Sequence, residues 1–345
     1  MDFQQLNKEI RPLDQQSMKE AKERWDYTAK PVGSLGILED IIIRLAGISG
    51  KAYPAIDKRA VIVLCADNGV LAQGVAMTPP EITAVMTGFI AQHRSAVCIM
   101  AKQSNTDIIT VDMGMFSRVN EPGLLDRRIA DGTQDMTKGP AMSREQALKA
   151  INTGIELVRD CRDKGYQILA TGEMGIGNTT TSSAIASVLL GKDPADMTGR
   201  GVGLSDEGLR NKIQAIKTAI RVNQPDPVDA LDVLHKVGGF DIGAMCGVFL
   251  GGALYGIPVI VDGFISSVAA LTAQRLCPAA GEYMIASHAS AEPAAALVSQ
   301  ALGLKPVIHG EMRLGEGTGA VALLPLLDMA LAVYRNLFTY GDIGM

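Results

Sequence analysis

The chain has 345 residues, of which 47% are hydrophobic, and 32 Lys and Arg against 37 Asp and Glu give a formal net charge of −5. This apolar content supports a packed core and excludes a largely disordered chain. The acidic balance and an aromatic content of 4% argue against nucleic-acid binding, which needs basic surfaces and stacking side chains.

Helices and short apolar runs alternate along the chain. Residues 1–50 are predicted to be helical with an interruption at Pro31–Gly36, and residues from about Pro325 onward are predicted to be helical again. Strands are predicted at Ala60–Ala66, Ile108–Met113, Tyr166–Thr171, Ile257–Asp262 and Glu282–Ser287. Because strands alternate with helices, the pattern predicts βαβ units and an α/β fold with a mostly parallel sheet.

One segment, Ile242–Val261, has twenty residues without a charge and is long enough to span a bilayer. It is rich in glycine, and Gly256 and Pro258 interrupt it. We interpret it as a buried helix that ends near Tyr255, followed by a buried strand. No membrane association is therefore expected, and the polar N-terminal segment is not typical of a targeting peptide.

A polar group stands at or just beyond the end of each predicted strand. These groups are Asp67-Asn68-Gly69, Asp112-Met113-Gly114, Gly172-Glu173, Asp262-Gly263 and Ser287-His288. Ligands of open α/β sheets bind beyond the carboxyl ends of the strands. The five polar ends therefore predict one shared cleft.

The segment Thr171–Thr180 follows a predicted strand and precedes the apolar helix predicted at Ser182–Leu190. Backbone N–H groups at such a position form an anion site. The glycines fit a phosphate-binding loop, but the lysine that holds a triphosphate is missing. A monophosphate suits this neutral loop; the alternative is a turn in which Thr179 or Thr180 caps the helix.

Two further glycine-rich loops follow. No strand precedes Gly199–Gly203, so it is not a dinucleotide fingerprint, but Arg200 and Lys212 could add positive charge to the same phosphate. The alternative is an ordinary loop between helices. In Gly310–Ala320, Glu316 lies between two glycines, where a ligand could approach it closely. A desolvated carboxylate there could act as a general base, whereas the alternative is a surface turn.

Metal and thiol chemistry have little support in the sequence. The four histidines show no ligand spacing, and the five cysteines include no CxxC pair. No metal site is expected, and the cysteines fit a reducing, cytoplasmic location.

Together, these motifs resemble the nicotinate-nucleotide:dimethylbenzimidazole phosphoribosyltransferases of cobamide lower-ligand assembly. The match runs in order over nearly the whole chain and includes Lys30–Glu39, Ala66–Val70, Thr171–Thr180, Gly199–Gly203, Val237–Gly243, Asp262–Ser266, Ser287–Pro293 and Leu314–Gly319. The resemblance implies a large Rossmann-like domain at residues 51–324 and a small helical domain built from residues 1–50 and 325–345. It also implies a dimer.

The implied reaction moves the 5-phosphoribosyl group of nicotinate mononucleotide to an aromatic acceptor, with inversion at C1′. By this resemblance Glu316 is the catalytic base, and Glu173 faces the ribotide. The residues expected at the phosphate and ribose are Gly175, Ile176, Gly177, Asn178, Thr179, Thr180, Gly201, Gly203, Lys212 and Ser290. Nicotinate in its mononucleotide is a pyridinium and already a good leaving group, so no cofactor is expected.

The sequence departs from the family pattern at Asn68, where the family often has histidine. In the expected acceptor pocket, which also includes Leu314, Thr78 and Met86 stand where benzimidazole-using members often have Ser and Gln. Methionine removes a hydrogen-bonding amide and leaves an adaptable apolar wall. The acceptor is therefore either dimethylbenzimidazole or a phenol such as p-cresol, and for the phenolic branch a paralogous partner subunit is expected.

Two other classes of protein fit the sequence less well. A non-catalytic subunit of a heterodimeric phosphoribosyltransferase would keep the fold, but Glu316 and the loop at 172–180 argue against it. A nucleotide-binding oxidoreductase would need a GxGxxG fingerprint after a strand, which the sequence lacks. The dimer implied by the resemblance is either a homodimer or, with a paralogous partner subunit, a heterodimer.

Overall fold

A computed structural model describes residues 1–201 and 203–344. Val202 of the predicted loop 199–203 and Met345 of the predicted helical segment 325–345 lie outside the described residues. The strands are β1 (Arg59–Ala66), β2 (Asp107–Gly114), β3 (Leu124–Asp126), β4 (Ile168–Met174), β5 (Val259–Val261) and β6 (Met284–Ala286).

These strands form one sheet in the order β3-β2-β1-β4-β5-β6, and every neighbouring pair is parallel. This is the strand order of doubly wound Rossmann folds, in which the direction of winding reverses between β1 and β4. The predicted Rossmann-like α/β fold is confirmed.

The helices are α1 (Phe3–Glu9), α2 (Gln15–Tyr27), α3 (Ile37–Ser49), α4 (Glu81–Ala91), α5 (Ala96–Gln103), α6 (Arg144–Asp163), α7 (Asn178–Leu190), α8 (Pro194–Met197), α9 (Asp206–Asn223), α10 (Ala230–Val237), α11 (Phe240–Tyr255), α12 (Phe264–Leu276), α13 (Ala295–Leu302) and α14 (Thr318–Asn336). They cover both faces of the sheet. Along β1, Ile62 and Leu64 enter the core shared with α6, α7 and α11, whereas Val61 and Val63 enter the core shared with α3, α5 and α14. Alternate side chains of a strand point to opposite faces, so a strand buried on both sides is apolar throughout.

The two ends of the chain meet on one side of the molecule. Thr28 and Thr339 form an antiparallel bridge, and the rings of Trp25 and Tyr334 lie 4.9 Å apart. Helix α14 runs without a break through residue 325, and its buried side chains belong to the same core as α3 and one face of the sheet. The division into domains at residues 50 and 325 stays a prediction.

The uncharged segment at 242–261 divides as predicted. Helix α11 is buried along most of its length and ends at Tyr255 with Gly256 in the left-handed conformation, and β5 follows. Helix α11 is too short to be a candidate membrane span, and among the described residues one helix, α14, is long and apolar enough to cross a membrane by length and composition alone. Leu323, Leu324 and Leu327 of α14 pack in the protein core, so its apolar composition is explained by burial.

Candidate active site

A cavity of about 250 Å³ opens beyond the carboxyl ends of β4, β5 and β6. The predicted site residues that line it are Thr78, Met86, Glu173, Gly175, Ile176, Gly177, Asn178, Thr179, Gly201, Lys212, Ser290, Leu314 and Glu316. Thr180 and Gly203 are not part of this lining: Thr180 is fully buried on α7, and Gly203 is exposed. The structure therefore brings the three glycine-rich loops around one space.

The prediction of one cleft shared by all five strand ends is wrong for β1 and β2. The Asp112 carboxylate accepts a hydrogen bond from the Arg128 guanidinium at 2.8 Å, and both side chains are buried. The Asp67 carboxylate accepts one from the backbone N–H of Phe116 at 2.8 Å. The cavity lies at the other three strand ends, where Glu173, Asp262 and His288 line it.

Strand β4 extends three residues beyond the predicted end at Thr171, so Gly172 and Glu173 pair with β1. Helix α7 also begins earlier than predicted, at Asn178, and its N-cap is Gly177 with φ of 94°. Neither Thr179 nor Thr180 is the cap. The loop therefore turns on a glycine in the left-handed conformation, which gives the backbone room to approach a ligand closely.

Lys212 of α9 reaches this loop from the side. Its ammonium donates to the Thr179 hydroxyl at 2.8 Å and to the Gly199 carbonyl at 3.2 Å, and the side chain is almost fully buried. An ammonium has three hydrogens, so with these two acceptors a third can point into the cavity that Lys212 lines. Burial lowers the pKa of Lys212 to about 8. Loop, helix N-terminus and ammonium together suit an anionic group.

Glu316 is buried rather than part of a surface turn. Its carboxylate accepts a hydrogen bond at 3.1 Å from the backbone N–H of Val97, in the first turn of α5. Its backbone has φ of 60° between Gly315 at 90° and Gly317 at 96°. A left-handed conformation at a residue other than glycine persists only where its surroundings enforce it, and such residues cluster at functional sites.

Gly172 helps to enforce the left-handed conformation of Glu316. A Cβ placed on Gly172 would lie 2.2 Å from the carbonyl oxygen of Glu316, so the loop packs directly against the β4 backbone. This contact also explains why β4 continues beyond its predicted end at Thr171. Glycine usually weakens a strand, but here the missing side chain admits the loop that carries Glu316.

We expect Gly172→Ala to displace the Glu316 loop and to lower the free energy of unfolding by about 1–3 kcal/mol, the usual cost of overpacking. Denaturant unfolding and turnover would both be measured. Gly139→Ala is the control, because a Cβ there meets nothing within 4 Å. A Gly172→Ala variant with wild-type stability and activity would contradict the tight packing.

Two carboxyl groups that line the cavity, those of Glu173 and Asp262, have raised pKa values. Burial raises the pKa of Glu173 to about 8, and the negative charges of Asp241, Asp262 and Glu316 add to this, against a hydrogen bond from Asn178. Burial also raises the pKa of Asp262 to about 6, although the backbone N–H of Ala320 donates to it at 3.0 Å. Glu173 is therefore protonated at neutral pH, which limits the negative charge beside Glu316.

Arg200 and His288, which the sequence placed near the phosphate and at the cleft, also line the cavity, whereas Met77, Glu292 and Arg313 of the lining were not predicted. Burial lowers the pKa of His288, which favours the neutral form of its ring. The signal for Met77, Glu292 and Arg313 was weak because each lies in a loop whose approach to the cavity depends on the tertiary fold. In residues 1–201 and 203–344, no group of three or more His, Cys, Asp or Glu is arranged to hold a metal ion.

Comparison with known proteins identifies the family. The phosphoribosyltransferase family model matches residues 10–344. Relatives from Ruminiclostridium cellulolyticum and Acetivibrio thermocellus, each named nicotinate-nucleotide–dimethylbenzimidazole phosphoribosyltransferase, are 46% identical over 342 residues, which cover 99% of this chain and 97% of each relative. The chain belongs to the nicotinate-nucleotide:dimethylbenzimidazole phosphoribosyltransferase family. As a phosphoribosyltransferase it is a pentosyltransferase, and the resemblance found in the sequence is confirmed.

The crystal structure of CobT from Thermus thermophilus has the same fold. Its TM-score with this structure is 0.91 at 36% identity, over 96% of this chain and 99% of that chain. The phosphoribosyltransferase fold thus extends over both the sheet and the terminal helices.

Proposed function

We propose that the protein transfers the 5-phosphoribosyl group of nicotinate mononucleotide to dimethylbenzimidazole in cobalamin synthesis, and that Glu316 is the general base. The observation that carries this proposal is the position of Glu316. Its buried carboxylate lies in the same cavity as the α7 loop and Lys212, so one bound ribotide can meet an anion site and a base. The names of the relatives support the choice of both substrates.

In the proposed reaction, a ring nitrogen of dimethylbenzimidazole attacks C1′ from the face opposite nicotinate. The bond between C1′ and the pyridinium nitrogen breaks, and its electron pair neutralises that nitrogen. Glu316 takes the N–H proton of the acceptor, so the products are an α-ribotide and nicotinate. Because the leaving group needs no protonation, one base and correct orientation supply the catalysis.

Lys212 and the α7 loop would hold the 5′-phosphate, with Ser290 and Gly201 nearby. The protonated carboxyl of Glu173 would donate a hydrogen bond to a ribose hydroxyl, since a neutral acid in a buried site can serve as a donor. Its Oε1 atom lies against Gly315, where a Cβ would be 2.5 Å away. This proximity to the Glu316 loop supports a role of Glu173 at the ribose.

The test is an assay of the purified chain with nicotinate mononucleotide and dimethylbenzimidazole, in which mass spectrometry detects the ribotide. We expect an α-ribotide and one equivalent of nicotinate. A β-ribotide would overturn inversion. Bound nicotinate mononucleotide without any product would overturn catalysis by this chain alone and favour the non-catalytic subunit of a heterodimer.

A second acceptor class, the phenols, is favoured by apolar side chains in the cavity lining. Met77, Met86 and Leu314 line the cavity together with Thr78. Apolar side chains beside the acceptor penalise an acceptor with no second ring nitrogen less than an amide there would. We propose that p-cresol is also a substrate, with its hydroxyl oxygen attacking C1′ and its proton passing to Glu316.

With equimolar dimethylbenzimidazole and p-cresol, we expect both ribotides. The Met86→Gln variant should shift the product ratio about fivefold toward dimethylbenzimidazole, because one hydrogen bond contributes about 1 kcal/mol. Val85→Gln is the control, since its side chain lies on the same helix and outside the cavity lining. Absence of any phenolic ribotide would rule out the second acceptor class and leave the first intact.

A dimer and a cytoplasmic location are further proposals that rest on the resemblance. Sedimentation of the purified chain would test the first: a monomer at assay concentration that is fully active would contradict it. Fractionation of the source cells would test the second.

A further inference from the structure

The segment Val237–Gly243 carries a buried acid with no role in the proposed reaction. Asp241 lies in the first turn of α11, is completely buried and does not line the cavity. A buried carboxylate is costly unless it is hydrogen-bonded, so its partners indicate what it does.

Asp241 is joined to the cavity through a single side chain. Its Oδ2 atom accepts a hydrogen bond from Asn178 Nδ2 at 3.1 Å, and its Oδ1 atom accepts one from the backbone N–H of Ile242 at 2.9 Å. The same Asn178 nitrogen donates to Glu173 Oε2. An amide nitrogen carries two hydrogens, so Asn178 bridges the two carboxyl groups with both of them.

Glycines leave room for this bridge. A Cβ on Gly175 would lie 2.9 Å from Asp241 Oδ2, and a Cβ on Gly239 would lie 2.5 Å from Asp241 Oδ1. Both glycines belong to motifs on which the resemblance rests. The carboxylate of Asp241 thus fills the space directly beneath the α7 loop.

We propose that Asp241 is a positioning residue that acts through Asn178 on Glu173. By accepting one amide hydrogen it fixes the orientation of the Asn178 side chain, and the second hydrogen then holds Oε2 of Glu173. Oε1 of Glu173 is thereby turned toward Gly315 and the cavity. Asn178 serves this bridge rather than binding the phosphate with its side chain. The inference rests on the proposed function, because Glu173 acts on the ribotide in that reaction.

An Asp241→Asn variant would break the hydrogen-bond bridge without changing the size of the side chain. If the new amide keeps its oxygen on the N–H of Ile242, its NH₂ group faces the NH₂ group of Asn178. Two donors cannot pair, so Asn178 must rotate and Glu173 loses its donor. The carboxyl group of Glu173 then no longer has a fixed orientation in the cavity.

The experiment is a double-mutant cycle on kcat and KM with nicotinate mononucleotide and dimethylbenzimidazole, using Asp241→Asn, Glu173→Leu and the double variant. We expect Asp241→Asn to lower kcat by about tenfold, the equivalent of one hydrogen bond from Glu173 to the ribose. In the Glu173→Leu background, where residue 173 can neither accept from Asn178 nor donate to the ribose, it should change kcat by less than about twofold, because coupled residues are not additive. A merely structural role would not produce this coupling.

Asp112→Asn is the matched control, because Asp112 is a similarly buried carboxylate whose hydrogen-bond partners are Gly114 and Arg128. It should lower the melting temperature while retaining kcat within about threefold. If Asp241→Asn does not fold, Asn178→Ser replaces it in the cycle, since it removes the bridge from its other end.

This proposal would be overturned if the losses of kcat from the two substitutions multiplied independently in the double variant, or if Asp241→Asn had the same kcat as the wild-type protein. The proposed function would still stand in either case, provided that the wild-type protein catalyses the transfer. No transfer by the wild-type protein would instead overturn the proposed function and this inference with it.

Discussion

Replacing Glu316 with glutamine should lower kcat by about 10²- to 10⁴-fold, the usual contribution of a general base. Glutamine has nearly the same shape, and its carbonyl oxygen can still accept the hydrogen bond that Val97 donates to the carboxylate at 3.1 Å. It cannot take a proton from the acceptor. The fold and the affinity for nicotinate mononucleotide should therefore change little.

Single-turnover kinetics and calorimetric binding of nicotinate mononucleotide would separate these effects. Glu311→Gln is the control, because Glu311 belongs to the same segment of the chain and is exposed outside the cavity lining. It should keep wild-type kcat. Unchanged turnover in Glu316→Gln would show that another group is the base, whereas lost binding would show that Glu316 holds the ribotide instead.

The sheet could be predicted because its strands are buried on both faces. Strands of that kind are continuous apolar runs, and the runs in β1 and β2 give their positions to within one residue. β3 was missed because it has three residues and a largely exposed surface, so its sequence resembles a loop. The end of β4 was missed because Gly172 meets the Glu316 loop, a contact between residues that are distant in sequence.

The site was predictable where its signal is local. Glycine-rich loops after strands indicate a backbone that must turn sharply, and the segment 175–179 does line the cavity. The partners of Glu316 and Asn178 gave no such signal, because Val97 lies 219 residues from Glu316 and Asp241 lies 63 residues from Asn178. Such pairs are determined by how helices pack on the sheet, and no periodicity in the sequence encodes them.

Replacing Lys212 with methionine should lower kcat/KM for nicotinate mononucleotide by roughly 10- to 150-fold, since a hydrogen bond to a charged group contributes about 1.5–3 kcal/mol. The loss should appear mainly in KM, because the 5′-phosphate is bound equally in the ground and transition states. Lys217→Met is the control: Lys217 lies on the same helix, and its ion pair with Asp193 is at the surface.

The pH dependence gives a second, independent readout. Burial lowers the pKa of Lys212 to about 8, so the ammonium is charged below that pH and is lost as the pH rises through it. The second ionisation of a phosphate monoester, near pH 6, produces the dianion that the ammonium prefers. The value of kcat/KM should therefore rise through about pH 6 and fall through about pH 8 in the wild-type protein.

Burial raises the pKa of Glu173 to about 8 as well. The fall of kcat/KM near pH 8, its alkaline limb, must therefore be assigned to either Lys212 or Glu173. Glu173→Gln keeps Lys212 and should retain a fall of kcat/KM near pH 8, whereas Lys212→Met should lose the part of the fall that comes from phosphate binding. Direct titration of nicotinate mononucleotide binding at pH 7 and pH 9 removes the chemical step from the comparison. Binding that weakens with pH in Glu173→Gln but not in Lys212→Met assigns the limb to the ammonium. The reverse result would make the neutral carboxyl of Glu173 the group whose ionisation ends activity.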